Sequence, residues 1–385
     1  MIKDIRTLRF GVNYTPTGNW YYCWNDFDAG SIARDLDSIA GLEADHIRLP
    51  LIWPYFQPNP AFVCPAHLEH LRVLMALARE RGLDVCLSML NGWLSGYAFR
   101  QAFEVRESVY TSERLWNAQE LYFRKVSDAV REFANFMCFD FGNEMNCCWQ
   151  APDVRDGDRW HERMMRLTHE LFPDRAHVNG IDDIPWFEPE TFSPRTIAKT
   201  QSIIALHCWA FFTGAIEQDN GNLFGKASIH LIDLMAALAR AFAGDPVKPI
   251  WVQEYGMCAD WMPAKDIPRF LEEATLNGIR GGASWFTWWT SHDIDRSFAF
   301  ESLEYSLGLI GNDQKIKPQG EVFRELARTY RRRPCELDAA RTLDVSPPQQ
   351  HNRAATWEWL LALDSPATRD AAAEVAHKVQ EEGGR

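Results

Sequence analysis

No apolar run in this 385-residue chain approaches the roughly 18 residues that a membrane span requires. The opening residues, Met1-Ile2-Lys3-Asp4-Ile5-Arg6, also lack the apolar core of a signal peptide. Together these absences set the expectation of a cytoplasmic protein with no membrane partner. Positive charge is scarce as well. Lys and Arg number 40 against 53 Asp and Glu, leaving a net charge of −13. Such a surface repels nucleic acid and anionic lipid. The one dense basic cluster, Arg328 with Arg331-Arg332-Arg333, falls near the end of an expected helix, where it complements the helix dipole. The 9 cysteines follow no framework spacing and include no C-x-x-C pair, which reads as reduced thiols in packing or loop positions. Metal-ligand patterns such as His-x-His or His-Glu-x-x-His are missing, so no metal and no cofactor is expected.

What the chain does have is an alternation of short β-like runs and amphipathic helical stretches, the pattern of a parallel sheet. Strands are expected over 8–15, 46–53, 84–91, 136–144, 175–180, 202–209, 249–255 and 281–288. The intervening helices are expected over 30–41, 66–81, 116–133, 159–171, 194–200, 228–242, 267–276 and 319–330. Gly82 is a good stop for the second of them. Eight strand-then-helix units are the count of an α/β chain folded as a (β/α)8 TIM barrel. An open doubly wound sheet would show a Gly-rich phosphate turn after strand one, and Asn13-Tyr14-Thr15-Pro16-Thr17 is not one. Residues 1–333 therefore read as a catalytic barrel. Residues 334–385 read as a C-terminal segment, mostly helical or irregular, packing on the barrel or reaching a neighbouring subunit of a homo-oligomer.

In such a barrel the C-terminal ends of the strands build the active site. Those ends deliver Asn13 and Tyr14, Arg48 and Trp53, Asn91 and Trp93, Asn143-Glu144 with Asn146, His207 and Trp209, Glu254 and Tyr255, then Trp285, Trp288 and Trp289. Of 16 tryptophans, those at 20, 24, 53, 93, 149, 186, 209, 261, 285, 288 and 289 fall at strand ends or in the loops after them. Loop packing explains any one of them; gathered on one rim they favour a site for sugar, whose C–H faces match aromatic rings. Two apolar strands ending in Glu, at 144 and 254, suit acid-catalysed cleavage of a glycosidic bond. The two need unlike surroundings. Arg48 near Glu254 would keep that carboxylate ionised for attack, while Glu144 would hold a proton for the leaving oxygen. Carboxyls about 5–5.5 Å apart imply retention, and wider spacing implies inversion.

These motifs resemble glycoside hydrolase clan A, and within it family 5: Gly142-Asn143-Glu144 on strand four and Trp251-Val252-Gln253-Glu254-Tyr255-Gly256 on strand seven. The resemblance covers roughly residues 8–330. It implies that Glu144 is the acid/base, Glu254 the nucleophile and Asn143 a ligand of the substrate 2-hydroxyl. It also matches Arg48, His207 and, as the strand-eight platform, Trp288. Phe10-Gly11-Val12-Asn13-Tyr14-Thr15-Pro16, the 20–28 stretch, Gly142-Asn143-Glu144-Met145-Asn146 and Leu206-His207-Cys208-Trp209 are similar to subfamily 18. The characterised activity of that subfamily is β-mannosidase action on Man-β-1,4-GlcNAc. Two positions depart from the family pattern. Asn91 stands near where a His is usual, and Trp209 replaces a Tyr. The resemblance implies a retaining exo-β-mannosidase acting on a small oligosaccharide in N-glycan degradation. Long segments after strands one, three and six could wall off a pocket and favour exo action. β-Glucosidase, β-galactosidase, and endo-β-mannanase or glucanase activities remain the alternatives on this barrel. A metal-dependent barrel hydrolase and a non-catalytic sugar-binding barrel are the more distant ones.

Overall fold

The computed structural model describes residues 5–298, 302–335 and 345–363. Met1–Asp4 of the leader reading, and 336–344 and 364–385 of the C-terminal segment, lie outside the described residues. Eight parallel strands form the barrel: β1 (Arg9–Asn13), β2 (His46–Pro50), β3 (Asp84–Ser88), β4 (Phe136–Asn143), β5 (Val178–Gly180), β6 (Ile204–His207), β7 (Ile250–Tyr255) and β8 (Ala283–Trp288). Hydrogen-bonded ladders run in the order β5-β4-β3-β2-β1-β8-β7-β6, and β5 lies against β6 to complete the ring. The chain is a (β/α)8 TIM barrel.

Every residue of these strands is buried. Both faces of each strand must therefore be covered, which is why they read as continuous apolar runs. Inside the barrel, Cys86, Met137, Cys138, Val178, Ala205, Trp251 and Trp285 form their own apolar cluster. Outside it, Phe10 stacks on Phe286 and meets Phe323 of the helix Pro318–Tyr330 edge-on. Each side chain of Leu, Ile or Phe size buried in that layer contributes about 1.5–3 kcal/mol.

The helices begin and end where local chemistry dictates. Asp28 accepts from the N–H groups of Gly30 and Ser31 and starts Ala29–Gly41, whose Ile32, Leu36 and Ile39 face inward. Ser112 accepts from the Leu115 N–H and starts Glu113–Val130. Pro65 opens Pro65–Glu80, and Gly82, at φ +70°, ends it in the left-handed region that glycine enters freely. After the barrel, the helix Arg353–Ala362 folds back on its own chain. Asn352 caps it, Trp357 packs on Phe187, and the Trp357 indole donates to the Thr213 carbonyl at 3.1 Å.

Candidate active site

The end of β4 is shaped for close approach. A side chain at Gly142 would place its Cβ 2.1 Å from the Leu90 carbonyl oxygen, so only glycine fits. Glu144 follows at φ 43°, ψ 47°, a left-handed conformation costly for a glutamate. Its N–H donates to the Gly180 carbonyl at 2.7 Å, and the chain then turns into the short helix Met145–Cys148. That turn lifts the Glu144 carboxyl into the barrel mouth.

Arg48 of β2 is the hub beneath it. Its guanidinium donates to Asp140 (3.0 and 2.7 Å), Asn13 (2.9 Å), Asn143 (2.6 Å) and Glu254 (2.6 Å). All are buried, so the bonds act in a low-dielectric setting where charge pairing is strong and unpaired charge costly. Gly180 must be glycine here as well: its Cβ would meet the Gln253 side-chain oxygen at 2.5 Å. The second oxygen of Glu254 accepts from the Trp209 indole at 3.2 Å. Both oxygens of Glu254 are thus fixed.

Glu144 sits differently. Among the described residues its side-chain partner is His207, whose Nδ1 lies 2.8 Å from Oε1. Burial pushes the Glu144 pKa up; the His207 hydrogen bond opposes this and the charge of Glu254 adds to it. Burial also opposes a charged His207, but the carboxylates of Glu254 and Glu144 outweigh it and its pKa is raised. Both shifts favour protonation of this pair. The Nε2 of His207 faces the Gln253 side-chain oxygen at 3.1 Å, which orients the ring. Carboxyl oxygens of Glu144 and Glu254 lie within 4.8 Å of each other, short of the separation that admits a water between them.

The pocket above these groups has a volume of about 450 Å³, in the lower half of the range for ligand sites. Trp93, Asn143, Glu144, Trp209 and Glu254 line it together. Arg48 and His207 stand behind this wall, Arg48 holding Glu254 and Asn143 and His207 holding Glu144, while Asn13 accepts from Arg48. Two expected residues do not join them. Asn91 is fully buried, with its amide donating to the Leu51 and Ser88 carbonyls at 2.6 and 2.9 Å; it holds a loop together. Trp288 is also fully buried, facing Tyr255 edge-on and donating to the Leu307 carbonyl. Its neighbour Trp289 lines the pocket instead. The two-residue period of a strand explains the difference: Trp285 and Thr287 point into the barrel, so position 289 does too.

The rim of tryptophans is likewise smaller than expected. Trp93, Trp209, Trp261 and Trp289 line the pocket, whereas Trp20, Trp24, Trp53, Trp186, Trp285 and Trp288 are fully buried packing residues. Sequence reasoning missed Asp140, Gln253, Asp182, Asp183, Glu304 and Arg353. A lone Asp inside Phe136-Met137-Cys138-Phe139-Asp140-Phe141 was a usable signal, because a buried carboxylate needs a partner. Among the described residues, the donors close enough to share one metal ion are Glu144, His207 and Glu254. Arg48 already presents a fixed positive charge to Glu254, which works against a second cation.

No protein-family model matches the chain, and no curated protein matches it. Solved structures do. A GH5_18 protein (glycoside hydrolase family 5, subfamily 18) from Streptomyces cattleya, in complex with GlcNAc, is 30% identical with a TM-score of 0.82, over 98% of this chain and 92% of that one. The same organism's GH5_18 variant was solved with Manβ1-4GlcNAc. A GH5_18 protein from Bifidobacterium longum subsp. infantis is 27% identical with a TM-score of 0.80, over 87% of this chain and 80% of that one. One from Bifidobacterium longum subsp. longum, also solved with Manβ1-4GlcNAc, is 28% identical with a TM-score of 0.77, over 84% and 78%. Identity and coverage of this extent, on a barrel with a Glu at the end of β4 and another on β7, establish the kinship: the chain belongs to glycoside hydrolase family 5, subfamily 18, and is a retaining glycoside hydrolase.

Proposed function

We propose that this chain is an exo-acting β-mannosidase that releases mannose from Man-β-1,4-GlcNAc by double displacement. In this reading Glu254 attacks the anomeric carbon while Glu144 gives its proton to the glycosidic oxygen, and GlcNAc leaves. Glu144, now a carboxylate, takes a proton from a water that attacks the glycosyl ester on Glu254, and β-mannose departs. Asn143 is the ligand of the 2-hydroxyl, and Trp289 takes the platform position. Arg48 and His207 hold the two carboxylates rather than the sugar, and Asn13 braces Arg48.

The observation that carries the reading is the unlike setting of the two Glu. Glu254 has both oxygens held by donors, one of them Arg48, whereas burial favours a proton on Glu144. The choice of substrate rests on Manβ1-4GlcNAc held by two relatives. Exo action rests on a pocket walled partly by the C-terminal helix. Hydrolysis of that linkage would serve breakdown of the N-glycan core. The cysteines among the described residues are all free, which suits a cytoplasmic setting; no described helix is long and apolar enough to cross a membrane. The test is a panel of nitrophenyl glycosides, Man-β-1,4-GlcNAc and polymers. Mannose release from the disaccharide, with β-mannoside preferred among the aryl glycosides, is expected. Internal cleavage of mannan or cellulose, or preference for a glucoside or galactoside, would overturn the proposal.

A further inference from the structure

The acid Glu144 lines the pocket. Trp289, Leu303 and Glu304, from the segment after β8, line it together with Glu254, and the Trp289 indole donates to Glu304 at 3.3 Å. Near Glu144, whose proton goes to the leaving group, the lining comes from the loop after β5 and from the C-terminal helix: Asp182 and Asp183, whose charges reach Glu144, and Arg353, which is bonded to Asp183. We infer that Arg353, with Asp183, is the specificity-determining wall for the leaving sugar, so that the segment after the barrel is part of the active site. This rests on the β-mannosidase reading above and deepens it.

Arg353 is the first residue of its helix and is held in place from several sides. Its Nη1 and Nη2 each donate to Asp183 Oδ2 at 3.1 Å, its Nε to Glu188 at 3.1 Å, and Nη1 also to the Thr213 carbonyl at 3.0 Å. The guanidinium lies over the Phe187 ring, 5.2 Å from its centre. These bonds use both N–H groups of Nη1, the Nε–H and one N–H of Nη2. The second Nη2 N–H has no partner among the described residues, and the side chain is 33% exposed on the pocket wall. A fixed planar donor is thus offered to an oxygen of the leaving group.

Asp183 adds a second kind of contact. Burial, then the charge of Asp182, push its pKa up to about 7, so its carboxyl can donate as well as accept near neutrality. Phe212 and Trp261 line the same pocket, with Phe211 stacked on Trp261. A lining that mixes polar groups with aromatic side chains suits a pyranose, which offers both hydroxyl or acetamido groups and a C–H face. A nitrophenyl leaving group could use only the aromatic side chains. Anionic leaving groups would meet the carboxyls of Asp182 and Asp183.

The test compares Man-β-1,4-GlcNAc with p-nitrophenyl β-mannoside in the full chain. Arg353→Met keeps an unbranched stem over Phe187 and removes the donors. It is expected to lower kcat/KM for the disaccharide on the order of tenfold or more, through KM, because a charged donor is lost. The aryl substrate should change less than about twofold, since its leaving group never used that donor. Asp183→Asn, which preserves shape, should show the same split at lesser size. Equal losses on both substrates, or no loss on either, would overturn the inference. GlcNAc titrated into the parent and Arg353→Met gives an independent readout: binding must weaken in the variant. If the parent cleaved no β-mannoside, the functional reading would fall, whereas GlcNAc binding would still decide the role of Arg353.

Discussion

Replacing Arg48 by Met keeps most of the volume and removes the charge at the centre of the site. In the parent, the guanidinium makes five hydrogen bonds, including those to the carboxylates of Asp140 and Glu254. Both carboxylates are almost wholly buried, with side chains 0% and 4% exposed. Removing one partner of a buried ion pair costs about 3–5 kcal/mol, because the remaining charge has neither water nor a counter-ion. Unfolding entropy near 2.1 cal/mol/K per residue amounts to about 0.8 kcal/mol/K for a chain of this length. The melting temperature should therefore fall by about 4–6 °C. Turnover should fall further than stability suggests. Glu254 and Asn143 both lose the group that positions them, and a misplacement of about 1 Å can cost a hundredfold. Arg48→Lys should recover only part of either loss, since one ammonium cannot reproduce the planar fork that joins Glu254, Asn143 and Asp140. Calorimetry and steady-state kinetics on an aryl β-mannoside read both effects. A variant melting within about 1 °C of the parent, with half its kcat or more, would refute this account of the hub.

Glu144→Ala should spare p-nitrophenyl β-mannoside much more than Man-β-1,4-GlcNAc, because a good leaving group needs little protonation; equal losses would contradict the acid role. A raised Glu144 pKa means that its proton persists above the ordinary glutamate range and is lost as pH rises through the raised value. The alkaline limb of kcat/KM should therefore disappear in that variant. Glu254→Ala should be rescued by azide to give an α-mannosyl azide, since azide enters from the face the nucleophile vacated; NMR of the product decides it, and a β-azide would contradict the assignment. Asp182, pushed up to about 6 mainly by burial, binds its proton more tightly folded than unfolded. The stability it contributes is full below about pH 4 and lost as pH rises through 6, so Asp182→Asn should flatten the fall in urea midpoint between pH 5 and 8.

The barrel was legible in the sequence because every strand is covered on both faces and so appears as a short apolar run ended by polar or aromatic residues. Glu144 and Glu254 stood out for the same reason: each is a charge at the end of such a run. The wall of the pocket was harder to read. Trp288 and Trp289 are adjacent, and only the alternation set by Trp285 and Thr287 tells which one faces inward. Asn91 is a polar residue just past a strand end, but its amide turns to the Leu51 carbonyl, a choice made by loop geometry rather than by local pattern. Arg353 lies beyond the barrel on a helix packed beside the loops after β5 and β6, and no strand-end rule could bring it to the site. The tryptophan count misled in a similar way. Loops that must stay ordered around a pocket need large apolar anchors, and Trp53 and Trp186 serve that need outside the pocket lining.

The central claim is double displacement on a β-mannoside, and the anomeric proton of the first product tests it most directly. A proton NMR time course of Man-β-1,4-GlcNAc hydrolysis should show β-mannose appearing first and α-mannose only later, at the rate of mutarotation. Initial release of α-mannose would contradict a nucleophilic Glu254 and the short carboxyl separation on which the account rests.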